Sequence, residues 1–145
     1  LLGFIQRPTT VDRHTYQNIL NYKHYSFNLI TDKFFKEAHQ TSARYAKGIN
    51  EFKEVGLTAL HKKGIRCPFV AESPLQITLE LHDDLEIKSN KTRLIIGKVI
   101  SVSIPKTDEN ITGINFQELK SVSISGLSDY YTLTKVKSLR YAKPQ

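Results

Sequence analysis

The sequence has little of what several classes of protein need. Among its 145 residues there is one cysteine, Cys67, no methionine, and only seven glycines, which lie far apart. A single cysteine excludes a disulfide within the chain and favours a reducing compartment. Scattered glycines fit neither the P-loop nor the dinucleotide-binding pattern. Because no apolar run has the length of a membrane span and no signal peptide opens the chain, we predict a cytoplasmic protein without a membrane partner.

The length and the opening of the sequence bear on its domain organisation. A chain of 145 residues can bury a core and has the size of one domain, so we predict a single domain over residues 1–145. The chain opens on Leu1-Leu2-Gly3-Phe4, which is typical of the middle of a strand, and it has no initiator methionine. We therefore expect an upstream portion that this sequence lacks.

Side chains that catalyse reactions without a cofactor are also missing. No second cysteine supports a zinc site, and metal-ligand spacing is absent from the five histidines, which are His14, His24, His39, His61 and His82. Ser123 and Ser125 lack the leading glycine of a nucleophile elbow, and Cys67 is predicted to be a buried structural thiol. Asp83-Asp84 is predicted to form a turn. We predict no metal site and no catalytic side chain, so an enzyme with this sequence would depend on a cofactor.

What the sequence does have is positive charge. The net charge is +7 and the pI is near 9.5, which suits an anionic partner. The lysines and arginines are scattered, however, as on an ordinary solvated surface. Tyr22-Lys23-His24-Tyr25 mixes aromatic and charged residues in a way that nucleic-acid-binding proteins use, but it also fits the joint between a helix and a strand. We prefer the joint and predict no nucleic-acid partner.

One stretch gathers groups that bind anions, and it runs from Arg7 to Ile19. An extended Arg-Pro segment turns through two threonines and enters a short helix that begins with Arg13, His14 and Thr15. A helix start presents free backbone N–H groups at the positive end of the helix dipole, here beside cationic and hydroxyl side chains. An ordinary capped helix is the alternative, with the cap supplied by Thr9, Thr10 or Asp12.

The pattern along the chain predicts an α+β barrel, with short helices early and long antiparallel strands later. Three helices are predicted. The first follows Asp12 and ends near Tyr22, and the second spans 33 to about 45 after the N-cap Thr31-Asp32. The third spans 51–55 between the caps Asn50 and Gly56. The predicted strands are 1–6, 25–30, 75–82 and 93–104, with Gly97 marking a bulge. A polar loop over 106–113, a helical turn capped by Asn115 and a last strand or hook over 130–141 complete the prediction.

Several segments resemble the flavin reductase-like family, whose members have an FMN-binding split β-barrel. Asp12 to Ile19 resembles the family's basic–Asp–Thr–x–x–Asn–Ile helix start, and Tyr25-Ser26-Phe27-Asn28-Leu29 is similar to the strand that follows it. The other similar segments are, in order, 41–45, 50–52, 56–58, 72–75, 94–99 and 141–144. The resemblance covers most of the chain and implies an α+β split β-barrel with short peripheral helices.

The resemblance also implies a cofactor site. It assigns Arg7, Arg13 and Thr15 to the phosphate of FMN, and Thr41 and Ser42 to a loop that approaches the flavin. The same site includes His14, which stands where many members have aspartate. The first strands of the family, with a loop that holds much of the flavin ring, would precede Leu1.

By the same resemblance, the function is that of an FMN-binding oxidoreductase of the flavin reductase type. NADH or NADPH would be a transient hydride donor. The family implies a homodimer, to which the aromatic-rich tail Tyr130 to Tyr141 could contribute interface. The first alternative is a non-enzymatic flavin-binding or sensor module, and the second is a basic protein that binds nucleic acid.

Overall fold

The computed structural model describes residues 1–8, 13–105 and 113–144. Its helices are α1 (His14–Tyr22), α2 (Phe35–Gln40) and α3 (Glu51–Val55). Its strands are β1 (Leu2–Gln6), β2 (His24–Asn28), β3 (Ala59–Leu60), β4 (Phe69–Val70), β5 (Gln76–Ile87), β6 (Thr92–Ser103), β7 (Val122–Ser125) and β8 (Asp129–Thr132). A membrane crossing needs a longer and more apolar helix than any found in these ranges.

The centre of the molecule is a four-stranded antiparallel sheet with the order β1-β6-β5-β2. The long hairpin of β5 and β6 forms its middle, and α1 packs on one face through Ile19. Ile19 joins Tyr25, Leu79 and Ile95 in the buried core, where Leu79 and Ile95 are fully enclosed. The rings of Phe4, Tyr25 and Phe27 meet edge to face around this core, with centroids 5.6 to 6.0 Å apart. The sheet therefore holds the start of α1 in a fixed place beside the end of β1.

The prediction that Asp83-Asp84 forms a turn is wrong. Strand β5 continues through both aspartates to Ile87, and the chain turns at residues 88–91. The register shifts between Leu81 and Asp83, opposite Gly97 and Ile96, so His82 is an extra residue in β5. This bulge shifts the alternation of inward and outward side chains, which makes the strand look as if it ended there. The bulge predicted at Gly97 is present, but the extra residue lies on the partner strand.

The helices follow the prediction with one clear exception. α3 has the predicted bounds, with the Asn50 side chain accepting from the Lys53 N–H and Gly56 in the left-handed conformation. α1 also ends at Tyr22 as predicted. The helix predicted over 33 to about 45 is only Phe35–Gln40, because the next backbone bonds, from Ser42 and Ala43, reach three residues back and tighten the last turn. The residues after Gln40 are thereby free to form a loop.

The strand predictions need smaller corrections. The strand predicted over 25–30 is β2, His24–Asn28, and the strand predicted over 93–104 is β6, Thr92–Ser103. The β3–β4 pair lies in a stretch of sequence with no clear pattern and was not predicted. The predicted loop over 106–113 lies almost wholly outside the described residues.

The C-terminal part differs from the predicted strand or hook over 130–141. Only β8 is a strand there, paired with β7, and residues 133–144 have no regular structure. The helical turn capped by Asn115 is confirmed, since its Oδ1 accepts from the Gln117 N–H at 3.2 Å. Tyr130 packs on Phe35 at a centroid distance of 5.2 Å, and its hydroxyl lies 3.2 Å from His39 Nδ1. These contacts attach the last hairpin to α2.

Candidate functional site

The first backbone N–H groups of α1 have no acceptor within the helix. The residue that precedes the helix, Arg13, is extended with φ −103°, and its side chain cannot accept a hydrogen bond. The first helical bond runs from the Gln17 N–H to the Arg13 carbonyl at 3.1 Å. The N–H groups of His14, Thr15 and Tyr16 precede this first bond and so have no acceptor within the helix, and the first turn has no acidic residue. Since Thr9, Thr10 and Asp12 lie outside the described residues, whether one of them caps the helix stays a prediction.

A cavity of about 660 Å³ lies against this helix start. Four segments line it: the end of β1, the start of α1, the loop after α2 and the start of α3. The structure brings all six residues of the predicted cofactor site to this one cavity: Arg7, Arg13, His14, Thr15, Thr41 and Ser42. The remaining lining residues are Ile5, Gln6, Ala43, Arg44, Tyr45 and Glu51. Cavities of this size hold nucleotide-sized ligands.

The loop after α2 presents side chains to the cavity. The N–H groups of Thr41, Ser42 and Ala43 all donate to carbonyls of α2, so these three donors are not available to a ligand. The Thr41 hydroxyl donates to the Ala38 carbonyl at 2.7 Å, which leaves its oxygen free only to accept. Ser42 is exposed, and its hydroxyl can still donate.

The charge of the cavity is positive. Among the described residues that line it, three are arginines, Arg7, Arg13 and Arg44, and one is acidic, Glu51. Among the described residues, none of these arginines lies within 4.0 Å of a carboxylate, since the ion pairs found are His82–Asp83, Lys91–Glu86, Arg93–Asp84 and Arg93–Glu86. Cations gathered from separate segments, together with backbone N–H groups, form a favourable setting for a phosphate.

A cluster missed by sequence reasoning anchors α1 to the sheet. The Tyr16 hydroxyl donates to Asp84 Oδ2 at 2.7 Å, and Arg93 Nε donates to Asp84 Oδ1 at 2.6 Å. The Arg93 guanidinium also lies over the Tyr16 ring, 5.7 Å from its centroid. Burial would raise the pKa of Asp84, but the hydrogen bonds from Arg93 and Tyr16 outweigh it and hold that pKa below its usual range. Assigning Asp84 to a turn had hidden this contact.

The other candidate groups lie away from the cavity. Cys67 is buried as predicted, and burial raises the pKa of its thiol, as in an inert structural cysteine. Over residues 1–8, 13–105 and 113–144, no three His, Cys, Asp or Glu side chains are grouped as a metal ion would require.

Comparison with known proteins places this geometry in context. The family model described as "Flavin reductase like domain" matches residues 3–121. A candidate flavin reductase with a split barrel domain from Shewanella frigidimarina NCIMB 400 is 38% identical, with a TM-score of 0.87 over 97% of this chain and 70% of that one. Flavoredoxin of Desulfovibrio vulgaris (Miyazaki F) shares the fold at 17% identity, with a TM-score of 0.79 over 96% of this chain and 74% of that one.

A curated protein of Aquifex aeolicus (strain VF5), of uncharacterised function, is 22% identical over 133 residues. The match takes in 90% of this chain and 66% of that protein, so the chain spans just under two thirds of that relative. The predicted α+β split-barrel fold is confirmed by the first of the structural neighbours. On the family match and the shared fold, the chain belongs to the flavin reductase-like family.

Proposed function

We propose that this protein binds FMN and acts as a flavin reductase-like oxidoreductase that takes hydride from NADH or NADPH. The observation that carries the proposal is the convergence of six residues from three separate segments on one cavity at the start of α1.

The chemistry of the cavity fits the phosphate of FMN. The first N–H groups of α1, the guanidinium groups of Arg7 and Arg13 and the hydroxyl of Thr15 would hold the phosphate. His14 lines the same wall and would add a ring N–H donor. Thr41 as an acceptor and Ser42 as a donor or acceptor would contact the flavin from the opposite loop.

The protein's own contribution is binding and orientation. A bound flavin supplies the hydride acceptor and the means to pass electrons on. Among the described lining residues no hydroxyl is hydrogen-bonded to a basic side chain, so the residues of the cavity would fix the flavin, shield it and leave room for the nicotinamide. We further propose that the protein works in the cytoplasm, where both nicotinamide donors are available.

Arg13→Ala tests the proposed phosphate site. A charge-assisted hydrogen bond to phosphate contributes about 1.5–3 kcal/mol, so FMN affinity should fall by roughly ten- to a hundredfold. Riboflavin lacks the phosphate, and its affinity should barely change. Arg66→Ala is the matched control, because Arg66 is exposed and lies outside the cavity lining. Equal losses for FMN and riboflavin, or none for either, would place the phosphate elsewhere.

Turnover separates an enzyme from a sensor. With FMN present, the protein should oxidise NADH or NADPH faster than free FMN reacts with either. Flavin that binds tightly and is reduced by neither NADH nor NADPH would instead establish a flavin-binding or sensor module.

We propose a homodimer on the basis of surface area. The accessible surface is 11207 Å², against roughly 7,600 Å² for a compact monomer of this mass. Large apolar side chains contribute to the excess, notably Val136, Leu139 and Tyr141 in the tail, which are 98%, 82% and 91% exposed. A second copy would cover such a surface. Sedimentation that shows a strict monomer with flavin fully bound would refute the proposal.

A further inference from the structure

The cavity has a cation on a second wall that the phosphate of FMN does not need. Arg7 and Arg13 lie beside the start of α1, whereas Arg44 lies in the loop between α2 and α3. All three line the same space of about 660 Å³. A phosphate at the helix start would be bound by Arg7, Arg13 and the first backbone N–H groups of α1, which leaves Arg44, on the loop after α2, for another anionic group.

Two successive residues of the loop after α2, Arg44 and Tyr45, line the cavity. The Tyr45 N–H donates to the Ala43 carbonyl at 3.1 Å, and the Gln40 side-chain amide donates to the Tyr45 hydroxyl at 3.3 Å. Tyr45 is half-buried and lines the cavity with Arg44. Among the described residues, no carboxylate lies within 4.0 Å of Arg44, although Glu51 lines the same cavity. An arginine and an aromatic ring that line one cavity offer what a nucleotide needs: a planar fork for phosphate and a flat face for a base.

We propose that Arg44 and Tyr45 form a second subsite, which binds the phosphorylated adenosine part of the electron donor and makes NADPH the preferred donor over NADH. This inference rests on the proposed function, because the subsite serves the hydride donor of a flavin enzyme. NADPH differs from NADH only by a phosphate on the adenosine ribose, and an arginine near that position is a known means of accepting it. Tyr45 would stack on the adenine.

Direct binding of nucleotide fragments tests the subsite without turnover. Calorimetry on the FMN-loaded protein would compare AMP, ADP and the 2′-phosphorylated form of AMP, which carries the phosphate peculiar to NADPH. The 2′-phosphorylated form should bind about ten- to a hundredfold more tightly than AMP, and Arg44→Gln should abolish that difference. Lys47→Gln is the matched control, since Lys47 is an exposed cation three residues further along that does not line the cavity.

The outcomes are distinct. Equal affinity for the 2′-phosphorylated form and AMP, or a difference that survives Arg44→Gln, would overturn the NADPH subsite. A preference for ADP that requires Arg44, with FAD binding more tightly than FMN, would also overturn it and would assign Arg44 to the second phosphate of FAD. Failure of FMN itself to bind would be seen in the flavin titration and would refute the proposed function, whereas FMN binding without any nucleotide preference would refute this inference alone.

Discussion

The contact between Gly97 and Tyr25 makes the sheet sensitive to a single methyl group. A Cβ built on Gly97 would overlap the Tyr25 hydroxyl oxygen and would lie 2.8 Å from its ring carbon Cζ and 2.9 Å from Leu79 Cβ. Tyr25 and Leu79 both belong to the buried core, so neither can move aside freely. The Tyr25 hydroxyl is itself buried and has no hydrogen-bond partner among the described residues. Glycine is therefore required at residue 97 because of this close approach.

We expect Gly97→Ala to destabilise the protein by about 2–3 kcal/mol, the upper part of the range for overpacking a core. Tyr25→Phe removes the oxygen that lies nearest and also an unpaired polar group, so alone it should leave stability within about 1 kcal/mol of the wild type, on the stabilising side. In the Phe background Gly97→Ala should cost about 1 kcal/mol less, because only the contacts with the ring carbon and Leu79 remain. The free energies of unfolding come from urea titrations, with the m-value checked for constancy.

The control for the backbone effect is Gly113→Ala. Among the described residues, nothing lies within 4 Å of a Cβ at Gly113, and the substitution should be near neutral. If Gly97→Ala is equally neutral, or if its cost is the same in the Tyr25 and Phe backgrounds, the close approach is not what limits residue 97.

Two further predictions concern the anchor of α1 and the tail. Asp84→Asn should lower the free energy of unfolding by about 1–2 kcal/mol at pH 7. The pKa of Asp84 in the folded protein is held below its unfolded value of about 3.9. The loss of stability should therefore be complete above about pH 3.9 and should vanish as the pH falls through the folded pKa. Urea titrations of both proteins across this range measure it, and a difference that does not depend on pH would contradict the assignment. Replacing Val136 and Leu139 by serine should weaken the proposed dimer without unfolding the monomer, since both side chains are exposed in the described structure; sedimentation equilibrium measures the association, and unchanged association would exclude this part of the tail from the interface.

Local signals were sufficient to predict much of the fold. Asn50 and Gly56 delimit α3 because a side-chain acceptor and a left-handed glycine each satisfy groups within one turn of the chain. The end of α1 and the long strand β6 were also predicted, because apolar periodicity is strong there. By contrast, α2 ends at Gln40 because the next hydrogen bonds, from Ser42 and Ala43, reach only three residues back. No residue type in 41–45 predicts this end of the helix.

The sequence likewise predicted one part of the candidate site and not the rest. The start of α1 was predicted because its hydroxyl and cationic residues are contiguous in sequence. Arg44 and Tyr45 were not singled out, although the resemblance assigned Thr41 and Ser42 of the same loop to the flavin, because no pattern in the residues shows which further side chains of this loop face the cavity. The anchor of Tyr16 on Asp84 spans 68 residues, so it could be found only once the length of β5 was known. The expectation that further strands of the family precede Leu1 stays a prediction.

The anchor explains how a site on the edge of the sheet can stay in place. α1 is only nine residues long, a length at which an isolated helix is marginal in water. Ile19 fixes its middle in the core, and the bond from Tyr16 to Asp84 fixes its first turn to the β5–β6 hairpin. Thr15 is the neighbour of Tyr16, so the β5–β6 hairpin also holds the N–H groups that would face a phosphate. Strand β6 of the same hairpin pairs with β1, and this pairing positions Arg7, which follows the end of β1. Arg7, Arg13 and the helix start are thus held by one sheet, whereas Arg44 is on the loop after α2. A ligand that contacts both walls of the cavity would link that loop to the sheet.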